Sequence, residues 1–410
     1  MGDKLAIDGG TPVRSKPFPT RREGIGEEEL AQLTEVIRSG HMFRVDGTKT
    51  KAVEQRCASL LGVRHALAVS SGTAAIHTAV ACVNPDPGDE IITTPLTDMG
   101  TVIGIIYQNA IPVFADVGPN GWHLDPESVE KAVTPRTRAI IPVHLWGMAA
   151  DTDAFLAIGR KHGIPVIEDC AQAWLTRYKG RLVGTMGAMG CFSLQQSKHI
   201  TSGDGGLVVT GDTAMAEHGR LFADKGWDRS AKARGHEFLG MNYRITELQS
   251  AVALAQMEKV EGFVAQRRRL GDLLTEKIGT IPGLDLPAGS TSSGNTYWFY
   301  PVRIREHEFG MSRDRFMAAL GAEGVNSWSW LGKPIYMFDA LRLQKTFGKS
   351  HHPFDSPAAS RRIEYGPGLC PNAERVVVET AVLTVHEFYG ENDIADMAAA
   401  ILKVARAAKG

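Results

Sequence analysis

Ser193-Leu194-Gln195-Gln196-Ser197-Lys198-His199-Ile200-Thr201-Ser202-Gly203-Asp204-Gly205-Gly206 sets one lysine between an apolar, strand-like run and a glycine-rich turn. A lone lysine near a strand end is ordinarily a solvated side chain. Two upstream segments change that reading. Ser70-Ser71-Gly72-Thr73 follows a strand-like run at 65–69 and opens a helical run at 74–82. Glu168-Asp169-Cys170-Ala171-Gln172 follows a second apolar run at 165–167. Taken singly, the first is a common strand-to-helix turn and the Asp a common turn or cap residue. Taken in order, each sits at the carboxyl end of a candidate strand, where open α/β sheets gather ligands.

Those three pieces match the chemical needs of an aldehyde cofactor, pyridoxal 5'-phosphate. It requires an amine to hold the aldehyde, an acid beside the ring nitrogen and donors around its phosphate. Lys198, Asp169 and the turn at 71–73 supply them. An Asp beside the pyridine nitrogen favours the protonated ring, which draws electrons from the substrate carbon. The amides of the turn and the following helix dipole would face the phosphate dianion.

Candidate strands at 65–69, 90–93, 112–114, 139–143, 165–168, 190–194 and 206–210 alternate at first with helical runs at 26–38, 73–82, 125–132 and 151–162. This predicts an α/β fold with a mostly parallel seven-stranded sheet covered on both faces. A long helical run at 246–278 has apolar residues at mixed three- and four-residue spacing, as expected of a helix passing from one unit to the next. After the loop at 287–295, a strand-like run at 296–304 and a helical run at 312–323 begin a smaller α+β domain. The expected division is 1–260 for the cofactor-binding unit with its N-terminal segment and 261–410 for the C-terminal unit. The polar stretch 344–365 reads either as a substrate-facing loop or as a surface insertion. Gly184, Gly187 and Gly190 suit tight turns before a buried strand rather than a dinucleotide fingerprint, which needs another spacing and a following helix.

With 410 residues, 43% hydrophobic, 22% charged and a formal net charge of −1, the chain can bury a large core. Charges of both signs are interspersed, which points neither to nucleic acid nor to a membrane. The densest basic run, Arg267-Arg268-Arg269, lies in the long helical segment and reads as a solvated face. Five cysteines without C-x-x-C or zinc spacing suit free thiols in a reducing cytoplasm. The N-terminus has no charged-then-apolar signal and no apolar run is long enough to span a bilayer, so a cytoplasmic location is expected. His351-His352 lacks further spaced ligands, so no metal is expected.

With these pieces in place, the chain resembles the DegT/DnrJ/EryC1/StrS family of sugar and cyclitol aminotransferases, within fold type I of the pyridoxal-phosphate enzymes. The resemblance runs through Asp8-Gly9-Gly10-Thr11-Pro12-Val13-Arg14, Ser71-Gly72-Thr73-Ala74-Ala75, Pro87-Gly88-Asp89-Glu90-Ile91-Ile92 and Pro112-Val113-Phe114-Ala115-Asp116-Val117. It continues through Val143-His144-Leu145-Trp146-Gly147, Glu168-Asp169-Cys170-Ala171-Gln172-Ala173, Gly190-Cys191-Phe192-Ser193 and Gly240-Met241-Asn242-Tyr243-Arg244-Ile245-Thr246-Glu247-Leu248-Gln249.

The resemblance implies that Lys198 holds the cofactor and shuttles the proton, Asp169 pairs with the ring nitrogen, and Gln172 lies near the phenolic oxygen. Ser193, Gly72 and Thr73 would hold the phosphate. Asn242 would reach the phosphate of a neighbouring subunit, making the active unit a homodimer with shared sites. The implied donor is L-glutamine or L-glutamate. The implied acceptor is a keto-cyclitol or keto-sugar of secondary metabolism; Cys370-Pro371-Asn372-Ala373-Glu374 and Val385-His386-Glu387-Phe388 resemble the cyclitol branch. Candidate substrate contacts are His144, Trp146, His199 and Tyr336.

One departure stands out. Relatives usually place Thr and then a ring-stacking aromatic after the proline matching Pro95, whereas this chain reads Pro95-Leu96-Thr97-Asp98-Met99-Gly100-Thr101. Met99 would then stack on the pyridine ring through its thioether. Asp98 either brings a carboxylate to the cofactor and substrate or caps the helix that follows. The pair keeps open an epimerase or dehydratase of an amino sugar or aminocyclitol. A non-catalytic sensor that retains the fold would not need Lys198 and Asp169.

Overall fold

The computed structural model describes residues 4–19, 24–231, 233, 235–359 and 361–409. The seven expected strands form, three with their expected ends and four with ends moved by one or two residues: β1 His65–Val69, β2 Glu90–Thr93, β3 Ile111–Phe114, β4 Thr137–Ile141, β5 Ile167–Asp169, β6 Met189–Ser193 and β7 Gly206–Thr210. They pair as a four-strand ladder, β1-β7-β6-β5, and a three-strand ladder, β3-β2-β4. The ladders meet side by side through two isolated parallel bridges, Ile140 to Val166 and Val143 to Asp169. Pairing is parallel for β2 with β3, β2 with β4 and β5 with β6. Only β7 runs against its neighbours, β1 and β6. The reason is local: a loop without a crossover helix joins β6 to β7, and such a loop returns the chain antiparallel.

Side-chain alternation covers the sheet on both faces. Leu67 and Val69 of β1 join the core built on the helix Gly72–Val83, with Cys191 and Val208. Ala66 and Ala68 turn the other way, toward Val53, Cys57 and Leu61 of the helix Lys49–Leu61 and Met257 and Val260 of the long helix Glu247–Ile278. That long helix starts at a capping box in which Thr246 Oγ1 accepts from the Gln249 amide. Its far end, Leu270, Leu274 and Ile278, enters a separate core with Tyr300, Val302, Phe316, Leu320 and the C-terminal helix Glu391–Ala408.

The expected division near residue 260 is crossed from both sides. Leu5 of the N-terminal segment is buried in the second core. Ile335, Tyr336, Phe354, Tyr365 and Val376 of the C-terminal part are buried in the first. The polar stretch 344–365 is strapped to the edge of the sheet opposite the lysine. Arg361 pairs with Glu90 at 2.8 Å, His352 Nε2 meets Asn109 Oδ1 at 2.9 Å, and the Tyr365 hydroxyl donates to the Pro112 carbonyl at 2.5 Å. It is an insertion on the starts of β2 and β3, not a loop over the site. Among the described residues, no helix is long and apolar enough to cross a membrane.

Two further expectations change. The strand at 296–304 is shorter, Tyr300–Ile304, because Thr296 and Trp298 donate their amides to Gly147 and Trp146 instead of to a sheet partner, with Tyr297 at a φ of 49°. Arg267 is not part of a solvated face: it is 1% exposed. Its Nε donates to Glu387 at 2.5 Å, and Nη1 reaches the carbonyls of Tyr297, Trp298 and Val385 at 3.1, 3.2 and 3.3 Å. Helical periodicity cannot distinguish a solvated arginine from one turned toward a neighbouring segment. Removing one member of a buried pair strands the other charge. Arg267→Met is therefore expected to lower unfolding stability by about 3–5 kcal/mol, and Arg267→Met/Glu387→Leu to recover much of that loss. Denaturant titration of both variants reads the difference.

Candidate active site

The carboxyl ends of β1, β5 and β6 open onto one cleft of about 380 Å³. Four loops supply its walls: Ser71 to Thr73 after β1, Thr97 to Thr101 after β2, Asp169 to Gln172 at the end of β5, and Ser193 to Lys198 after β6. Residue chemistry pointed to the first, third and fourth and the family resemblance to the second, through Asp98 and Met99, and the fold brings all four loops together.

Gly72 and Thr73 begin the helix Gly72–Val83, whose cap is Ser71, its side chain accepting from the Ala74 amide at 3.0 Å. A Cβ on Gly72 would lie 2.8 Å from Ser193 Cβ and 3.0 Å from its Oγ, so only a bare backbone fits beside that serine. On the other side, a Cβ on Gly206, where β7 starts, would lie 2.3 Å from the Ser71 carbonyl oxygen. The two glycines let three segments close round a helix N-terminus with a hydroxyl beside it, a fit for a phosphate dianion.

Asp169 is 3% exposed at the end of β5. Its Oδ2 accepts from Thr101 Oγ1 at 2.8 Å and its Oδ1 from the Ala171 amide at 3.0 Å. Burial raises its pKa, and those two hydrogen bonds with the charges of Lys198 and His144 work against the rise. A cationic ring nitrogen would favour the ionised form further. Thr101 and its partner Thr97, oxygens 2.6 Å apart, were not singled out from the sequence. Their only signal was a threonine opening a helical run.

Lys198 lies in the loop with Nζ 3.7 Å from the centroid of the Trp298 ring. Burial brings its pKa down to about 8, against the opposing pull of Asp169 and Asp98. Trp298 also lines the cleft. It stands 100 residues from the lysine and gave no sequence signal beyond one aromatic in an apolar run.

Gln172 is 3% exposed, and its Oε1 accepts from the Trp146 amide at 3.0 Å. Asp98 lines the cleft and also holds the start of the helix Gly100–Tyr107, its Oδ1 accepting from the Gly100 amide at 2.8 Å. Met99 does not line the cleft; it packs half-buried against the main core, because the helical turn that begins at Asp98 carries it away from the opening. Asn242 is exposed, bridged to Asp224 and outside this chain's own cleft.

The four candidate substrate contacts do not line the cleft either. His144 is fully buried between Glu168 at 3.1 Å and the Ala150 amide at 3.1 Å. Burial works against ionisation of Glu168, yet His144 and the amides of Gly184 and Gly187 hold its carboxyl below the usual pKa. The backbone at Gly184 and Gly187 folds around this carboxylate, and Gly190 lies in β6 against Gly184. Trp146 is 3% exposed and packs edge-on against Trp122 and Trp330. His199 is buried with Nε2 at 3.1 Å from the Thr296 carbonyl. The Tyr336 hydroxyl is spent on Glu374 at 2.6 Å. Each is buried polar or aromatic framework, which a sequence alone cannot separate from an open site.

A lysine, a buried aspartate and a helix N-terminus at the carboxyl edge of a mostly parallel sheet define an α/β enzyme built around a phosphorylated aldehyde. The chain matches the DegT/DnrJ/EryC1/StrS aminotransferase family over residues 23–402. It is 41% identical over 337 residues, 79% of each chain, to a Streptoalloteichus tenebrarius protein provisionally named L-glutamine:3-amino-2,3-dideoxy-scyllo-inosose aminotransferase. A Micromonospora echinospora protein with the same provisional name is 34% identical over 98% of this chain and 97% of its own. The solved structure of the aminotransferase from Psychrobacter cryohalolentis superposes with a TM-score of 0.83 at 27% identity, covering 96% of this chain and 100% of that one. The chain belongs to the DegT/DnrJ/EryC1/StrS aminotransferase family. It is a pyridoxal-phosphate-dependent aminotransferase with the fold type I architecture.

Only the neutral amine of Lys198 captures an aldehyde. Uptake of pyridoxal phosphate by the apoenzyme is expected to rise roughly tenfold per pH unit and level off above a pH of about 8. Stopped-flow absorbance of the lysine-linked cofactor checks it, and a rate still climbing at pH 10 would contradict it.

Proposed function

We propose that this enzyme moves the amino group of L-glutamine or L-glutamate to a keto-cyclitol or keto-sugar, in aminocyclitol or amino-sugar biosynthesis. The observation that carries the reading is the single cleft joining Lys198, Asp169 and the helix N-terminus at Gly72. The names of the two actinomycete relatives support the glutamine donor and the inosose class of acceptor.

In this reading Gly72, Thr73 and Ser193 hold the phosphate, Asp169 holds the ring nitrogen and Gln172 stands near the phenolic oxygen. Bound pyridoxal phosphate supplies the aldehyde that receives nitrogen and the ring that takes up the electron pair released at the substrate carbon. Lys198 Nζ, near neutrality in its pKa, removes a proton at one carbon and returns it at another. Thr101 and the Ala171 amide keep the Asp169 carboxylate aimed at the ring nitrogen's position. The indole of Trp298 covers the lysine and excludes water from it. Asn242, exposed on its own chain, serves the site of the partner in a homodimer. The cofactor-binding unit is carried by residues 1–260 and the smaller one by 261–410, each lending side chains to the other's core, and the enzyme works in the cytoplasm.

We prefer transamination to an epimerase or dehydratase: Asp98 lines the cleft but has a structural use at the helix start, and Met99 lies outside the cleft lining.

Adding L-glutamine without acceptor is expected to bleach the band of the lysine-linked cofactor and release one equivalent of the matching keto acid. Adding a keto-inosose should then restore the band. Deuterium incorporated at the nitrogen-bearing carbon of an amino sugar, with no donor consumed, would replace the transaminase reading by epimerisation. Asp169→Asn is expected to lower kcat about 10²–10³-fold by removing the charge that holds the ring protonated. Cofactor content measured beside the rate separates that loss from poor loading.

A further inference from the structure

The lysine must be detached from the cofactor during half of an aminotransfer cycle, and its ammonium then needs a place in the cleft. The charged side chains lining the cleft with it are Asp98, Asp169 and Asp204. Asp169 is committed to the ring nitrogen once that nitrogen is cationic, so the pair presents little net charge to the lysine. Asp98 has one oxygen bound to the Gly100 amide. What stands directly against Nζ is the indole face of Trp298, 3.7 Å from its centroid.

We propose that the face of Trp298 is the seat of the Lys198 ammonium whenever the lysine is detached, making Trp298 a positioning residue for the proton shuttle. This rests on the reading of Lys198 as the cofactor lysine. Three contacts fix the seat. The indole Nε1 donates to the Ser197 carbonyl at 2.6 Å, tying the ring to the residue before the lysine. The Trp298 amide donates to the Trp146 carbonyl at 2.9 Å, and Trp146 is in turn bound through its amide to Gln172. Arg267, buried against Glu387, holds the carbonyls of Tyr297 and Trp298 from the side of the second core. A ring held at both its nitrogen and its backbone offers the cation a fixed face.

The seat can be told from mere cover by the sign of an effect. If Trp298 only excluded water, shortening it would hydrate the amine and raise its pKa. If its face binds the ammonium, replacing it with an apolar chain lowers the pKa.

The full-length enzyme and its Trp298→Leu and Trp298→Phe variants would be loaded with pyridoxamine phosphate. Acylation of Lys198 would then be followed against pH by peptide mass spectrometry. The expected inflection falls by about 0.4–1.5 pH units in Trp298→Leu and by less in Trp298→Phe. An inflection unchanged or raised in Trp298→Leu, in a variant whose melting temperature and cofactor content match the wild type, overturns the seat. A wild-type chain that forms no lysine-linked band with pyridoxal phosphate overturns the reading of Lys198 beneath it as well.

Discussion

A guanidinium with 1% exposure, Arg267, ties together what the chain keeps far apart. Its charge is met by Glu387, and its remaining donors go to three carbonyls on two segments that would otherwise be irregular backbone. A buried cation tolerates few arrangements, because any donor left unpaired costs free energy. Satisfying it therefore fixes the turn at Tyr297, where φ is positive, and with it the ring that covers Lys198. The long helix carrying Arg267 is packed into both cores, so the constraint reaches from the sheet to the C-terminal unit.

The sheet contributes a different kind of order. Parallel strands end on the same edge, and every loop that leaves that edge can offer a side chain to the same volume. The antiparallel β7 brings its starting glycine to that edge rather than its end, which closes the floor of the cleft beside Ser71. Charge in this volume is set by environment. Burial pushes the Asp169 carboxyl up, against the hydrogen bonds and charges that favour its ionised form, and pushes the Lys198 amine down, toward the neutral form that captures an aldehyde.

Around the cleft lies a shell of polar groups whose work is support. Glu168, next in sequence to Asp169, gathers the amides of Gly184, Met186 and Gly187 and the ring of His144. Thr101 holds Asp169, and Gln172 joins the cleft to the backbone of Trp146. Residues of a functional type thus fill structural roles one layer out. That is why His144, His199 and Tyr336, chemically plausible on paper, are framework.

The sequence by itself determined the order of the sheet strands and of the helices between them, because alternation and helical spacing are local, and it marked Lys198, Asp169, Gly72 and Thr73, to which the family resemblance added Gln172 and Ser193. These residues stand at turns whose conformation the chain dictates within a few positions. Where side chains face was decided by tertiary structure. Local pattern could not tell that Arg267 turns inward while Arg269 stays in solvent, that Met99 leaves the cleft while Asp98 remains, or that the run at 296–298 bends to meet Trp146. Nor could it join Trp298 to Lys198, since contacts across 100 positions arise from packing two cores on one helix. Spacing records what neighbours in the chain must do; the choice among partners distant in the chain is made by burial and by the need to satisfy every buried polar group.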